Sequence, residues 1–163
     1  MDTGRYRLGH GLRSPLRATS LWLLAVAALT SVPAVAKAVP SCSATVATGL
    51  VFGTYDVFSP VALTSTARMR LNCPKGQTPQ VTISSGNSGT FVWRELRSPS
   101  DRLRYNVYLD AAMTVIWGDG TDGSQAWVSP GGNAQLLIYG LIPPGQDAIA
   151  GDYADVLTVT VFL

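Results

Sequence analysis

The stretch GDYADVLTVTVFL, Gly151 to Leu163, reads as a β-strand. Leu157, Val159, Val161 and Leu163 fall on one face, and Val156, Thr158, Thr160 and Phe162 on the other. Valine and threonine suit a pleated, half-buried surface. Leu163 is the last residue given, so the sequence supplies nothing after it to pair with this strand. An unpaired strand edge of this kind is a site where another chain can add a strand.

Working back from that strand, the chain keeps the same character. Ala134 to Ile142 (AQLLIYGLI) is apolar on both faces, as an interior strand requires, and Gly140 within it predicts a bulge or a close backbone approach. Leu103, Tyr105, Val107 and Leu109 alternate with Arg104, Asn106 and Tyr108. Asp110-Ala111-Ala112 turns the chain, and Thr114 to Trp117 follows as a short strand. Phe91 to Leu96 makes a short strand or edge segment, and Val81 and Ile83 sit in another. Over Leu63 to Cys73, Ala67, Met69, Leu71 and Cys73 share one face, while Thr66, Arg68, Arg70 and Asn72 share the other. Turn signals separate these runs, among them Pro74-Lys75-Gly76, Gly86-Asn87-Ser88-Gly89 and Pro143-Pro144-Gly145. No segment after the first 38 residues has a helical period. The spacing predicts an all-β sandwich or barrel in one domain.

The first 38 residues read as a secretory signal peptide rather than as fold. Arg5, Arg7, Arg13 and Arg17 precede the apolar run Leu21 to Leu29, and small residues at Ala34 to Ala38 offer cleavage after Ala36 or Ala38. That leaves residues 39–163 as the exported domain. Val39-Pro40-Ser41 is a poor lipoprotein signal ahead of Cys42. Past residue 38 there are seven Lys and Arg against nine Asp and Glu, a net charge of −2. The basic balance of the whole chain therefore belongs to the leader, and nucleic-acid binding loses its electrostatic motive. Cys42 and Cys73 remain, and in an oxidising compartment an even pair predicts a disulfide; two free buried thiols are the alternative.

Catalysis finds few groups. His10, the only histidine, lies in the leader, and no serine sits in a Gly-x-Ser-x-Gly elbow. Asp119 and Asp122 in GDGTDG have the composition of a polar turn, with a weak cation site as the alternative and no EF-hand glutamate. No cofactor or metal is expected. Trp93, Trp117 and Trp127, with Tyr105 and Tyr108, are either strand packing or a surface contact for sugars or an interface. Arg94, Arg97, Arg102 and Arg104 around Ser98-Pro99-Ser100 read as a solvated face, with a contact surface for an acidic partner as the alternative.

RELRSPSDRLRYNVYLDAAMTVIWGDGTDGS (Arg94 to Ser124) and GDYADVLTVTVFL together resemble the spore coat protein U domain family, which includes subunits of archaic chaperone–usher pili. LIPPGQ (Leu141 to Gln146), and an early cysteine followed by VFGTYD (Val51 to Asp56), fit the same family. The resemblance implies an incomplete immunoglobulin-like β-sandwich lacking its final strand, completed by a donor strand from a partner. It puts the acceptor groove along Leu157, Val159, Val161 and Leu163, and a donor filling it with about four apolar side chains would contribute roughly 6–12 kcal/mol gross. The implied partners are a periplasmic chaperone, an outer-membrane usher and other pilus subunits, with no nucleic acid and no stable membrane insertion. The implied location is the periplasm in transit, then the cell surface or a fimbrium. Rod subunits of the family carry an alternating donor segment ahead of the first cysteine. AVPS (Ala38 to Ser41) holds none, which makes a tip or terminal subunit the expectation. A stand-alone secreted glycan- or surface-binding module is the competing function, and an enzyme is poorly supported.

Overall fold

The computed structural model describes residues 41–163, and the predicted leader over 1–38 with its cleavage site lies outside the described residues. Eight strands form two sheets. These are β1 (Ser43–Val46), β2 (Leu63–Asn72), β3 (Gln80–Ile83), β4 (Arg94–Arg97), β5 (Arg102–Tyr108), β6 (Trp127–Val128), β7 (Ala134–Ile142) and β8 (Val159–Phe162). A five-stranded sheet has the order β1-β2-β7-β5-β4, and a three-stranded sheet the order β6-β3-β8. All paired strands are antiparallel. The architecture is the two-sheet, immunoglobulin-like sandwich that the sequence predicts.

The inward faces follow the period of two. Ala67, Met69 and Leu71 of β2, Leu136, Ile138 and Ile142 of β7, and Leu103, Tyr105 and Val107 of β5 are buried against Val81 and Ile83 of β3. β7 lies between β2 and β5, and Leu136, Ile138, Gly140 and Ile142 on its inward face are buried while Leu137 on its outward face is exposed. Gly140 is not a bulge, since it pairs in register with both Ser65 and Val107. It marks a close approach instead. A Cβ there would stand 2.7 Å from the Phe52 ring and 2.8 Å from Leu50 Cδ1. Leu50 and Phe52 thus plug one side of the sandwich over a strand that has no side chain at that point. Ser65 fixes this segment, donating from Oγ to the Val51 carbonyl (2.8 Å) and accepting from the Val51 N–H (3.0 Å).

Cys42 and Cys73 form a disulfide that ties the start of β1 to the end of β2. Thr114 to Trp117 makes no named strand but pairs with the second half of β5, Trp117 N–H donating to the Val107 carbonyl at 2.8 Å. Gly118 then accepts from the Ile83 N–H in the other sheet (3.4 Å). The GDGTDG segment is a turn, in which Asp119 accepts from the Thr121 N–H and hydroxyl while Asp122 accepts from the Thr90 hydroxyl.

Candidate strand-acceptor groove

β8 is an edge strand. It pairs with β3 from Val159↔Ile83 to Phe162↔Gln80. The Ser84 N–H donates to the Thr158 carbonyl (2.9 Å), and the Thr158 N–H donates to Ser84 Oγ (2.9 Å). Ile83 turns its own N–H the other way, to Gly118. Val159↔Ile83 is therefore a non-hydrogen-bonded pair of the ladder, and the alternation follows along the strand. Thr158, Thr160 and Phe162 aim their backbone groups at β3. Leu157, Val159 and Val161 aim theirs outward, along an edge with which no strand pairs among the described residues.

The same three residues turn their side chains inward, yet each is only half-buried. The reason is a cleft of about 330 Å³ between the sheets. Leu157 and Val159 form one wall, Val46, Gly49, Leu50 and Phe52 another, and Ala67, Val107 and Ile138 the floor. Native interiors close-pack, so an apolar space of this size beside an unpaired strand edge is a candidate place for an added strand. The four predicted groove residues do not share it equally. Leu157 and Val159 line the cleft, Val161 packs on the core beyond it, and Leu163 follows β8 with 62% of its surface exposed. Pairing with β3 stops at Phe162, so Leu163 lies past the end of the ladder.

Two polar constellations frame the cleft. The first centres on Arg94, which is fully buried rather than part of a solvated face. Its Nε and Nη2 donate to the Ser84 carbonyl (3.1 and 3.0 Å), Nη2 also donates to the Trp117 carbonyl (2.7 Å), and Nη1 donates to Asn106 Oδ1 (2.6 Å). Burial lowers the Arg94 pKa to about 10, so the side chain remains a cation at neutral pH. Asn106, also fully buried, donates on to the Phe91 carbonyl (2.8 Å). Ser84 is the residue that anchors Thr158, so Arg94 reaches the start of β8 through one shared rung. In the second constellation the Tyr105 hydroxyl donates to Asp155 Oδ2 (2.7 Å), and Asp155 Oδ1 accepts from the Asn87 and Val156 N–H groups (3.0 and 2.8 Å). Desolvation, reinforced by Asp155, pushes the Tyr105 pKa far up. Both Tyr105 and Asp155 line the cleft.

The predicted aromatic surface separates. Trp117 is fully buried and donates from Nε1 to the Val81 carbonyl (3.1 Å), so it is core and not a contact residue. Trp93 precedes β4 and Trp127 lies in β6, both half-buried, and Trp127 packs on the core.

The Spore Coat Protein U domain family matches residues 28–160. The chain belongs to that family. Within the family, Protein U of Myxococcus xanthus is 25% identical over 126 residues, covering 68% of this chain and 69% of that protein. The fold is similar to that of a chain in the solved CsuC–CsuE chaperone–tip adhesion subunit pre-assembly complex, from archaic chaperone–usher Csu pili of Acinetobacter baumannii. The TM-score is 0.56 at 23% identity, over 77% of this chain and 40% of that one, so the likeness spans well under half of the solved chain. Among the spore coat protein U residues described here, those that sequence reasoning missed are Arg94, Asn106 and the Tyr105–Asp155 pair. Their one sequence signal is Asn106, a polar residue on a strand whose neighbours on both faces are buried.

Proposed function

We propose that this spore coat protein U domain is a structural and adhesive subunit of a chaperone–usher surface fibre or coat, completed by a strand from another polypeptide. The observation that carries the reading is the conjunction at β8: three outward-facing backbone rungs beside an apolar cleft of about 330 Å³. Strand addition meets both needs at once, because main-chain hydrogen bonds give affinity and alternate side chains fill the pocket. In the periplasm the strand comes from a chaperone. After passage through an outer-membrane usher it comes from a neighbouring subunit, and the protein ends at the cell surface. The Cys42–Cys73 disulfide suits that oxidising route. The role is non-catalytic. The AVPS segment before Cys42 carries no alternating donor pattern, which supports a tip or terminal position that accepts a strand without giving one.

Each donor side chain buried in the cleft contributes roughly 1.5–3 kcal/mol gross, offset in part by ordering the donor. Periplasmic expression with and without a family chaperone tests the reading. The expected result is a one-to-one complex with chaperone and aggregated or proteolysed chain without it. A stable monomer that ignores chaperone and every donor peptide contradicts it. For the terminal position, the mature N-terminal segment should fail to complement a second subunit's groove, and successful complementation would place the chain in a rod.

A further inference from the structure

Strand addition leaves a register problem. Sliding an alternating donor by one residue turns its apolar face outward, but sliding it by two keeps the same face inward. An evenly apolar groove therefore discriminates poorly between registers two residues apart. This groove is not evenly apolar. Asp155 lines the cleft otherwise walled by Leu157, Val159 and Phe52. Its carboxylate is held in a built position. Gly86, at φ +65, leaves room that a Cβ would fill, 2.1 Å from Oδ2. The Asn87 and Val156 N–H groups occupy Oδ1, whereas Oδ2 accepts only from the Tyr105 hydroxyl. A carboxylate oxygen accepts about two hydrogen bonds, so Oδ2 has capacity for one further donor. Among the described residues both ion pairs go to Glu95, and the N–H groups of Arg94 go to carbonyls and Asn106.

We infer that Asp155 sets the register of the inserted strand by selecting a donor with a hydroxyl side chain at one inward position. The partner is an extended segment with apolar residues at alternate positions, interrupted once by serine or threonine facing Asp155 Oδ2. A valine in that place would dry the carboxylate without replacing the lost water, an expensive arrangement for a charged acceptor. Everywhere else along the groove the hydroxyl would be the misfit. This rests on the acceptor reading above and names the chemistry that the acceptor prefers.

The test uses the disulfide-bonded chain purified from the periplasm and a synthetic peptide alternating valine and serine. Each inward valine is replaced in turn by threonine, which has the same shape and swaps a methyl for a hydroxyl. Threonine should tighten binding at one position only, by about tenfold, and weaken it at the others. Asp155→Ala should abolish the preference, while Tyr105→Phe, which keeps the carboxylate, should retain it. If the Asp155→Ala chain does not fold, the scan on the unsubstituted chain still decides. Binding by all peptides with valine best at every position would overturn the register assignment and leave the acceptor reading intact. Binding by none of them would overturn both.

Discussion

Arg94 shows what a single side chain does in this core. Burying a guanidinium is costly unless its donors are met, and here carbonyls of Ser84 and Trp117 and the Asn106 amide meet them. Arg94→Met should therefore destabilise the chain by about 3 kcal/mol, since the Ser84 and Trp117 carbonyls lose their partner and Asn106 Oδ1 keeps only the Val107 N–H. Urea denaturation checks this, and Arg94→Lys should rescue little because one ammonium cannot span the same fork. Acid sensitivity also belongs to single residues. Asp101 lies below the ordinary carboxylate pKa through hydrogen bonds from Tyr153 and the Ile149 N–H, Asp110 through the Val115 and Thr114 N–H groups, and Asp119 through Thr121. A carboxyl whose folded pKa is depressed stabilises the fold above its unfolded value and loses that contribution as pH falls. Urea midpoints should hold from neutrality to about pH 4 and decline below it, and Asp110→Asn should flatten that decline.

At the scale of elements, the long alternating strands were legible from sequence. β2 and the first half of β5 carry a period-two pattern that matches their burial, and β7 was legible as an apolar run. β1 was not legible, because all four of its residues are exposed and no alternation marks it. β6 is two residues long and is set by its partner β3 rather than by its own pattern. The groove was half legible. The family resemblance pointed to Leu157 and Val159, which line the cleft, but the other wall comes from Leu50 and Phe52, in a segment without strand pattern that a serine hydroxyl ties to β2. Arginine spacing pointed to a solvated face because charge in a sequence carries no sign of burial, and Arg94 departs from it for that reason. The tight fit over β7 gives a prediction for an element. Gly140→Ala should displace the Leu50–Phe52 plug and cost about 1–3 kcal/mol, read as a lower urea midpoint.

For the whole molecule, the proposed strand addition makes stability depend on two closures, one covalent and one supplied from outside. The Cys42–Cys73 bridge, with a sequence separation of 31, should contribute about 3–4 kcal/mol by restricting the unfolded chain. Cys42→Ser should therefore lower the urea midpoint and raise protease sensitivity, and an unchanged midpoint would mean the loop is already constrained. The second closure is the strand that β8 lacks on its outer side. Amide hydrogen exchange along residues 157–162, with and without a bound donor peptide, tests it directly. Thr160 and Phe162 should be protected by β3 in both states, whereas Val159 and Val161 should exchange quickly alone and become protected once the donor binds. Protection of Val159 and Val161 in the lone chain, or no gain on donor binding, would contradict an open acceptor edge.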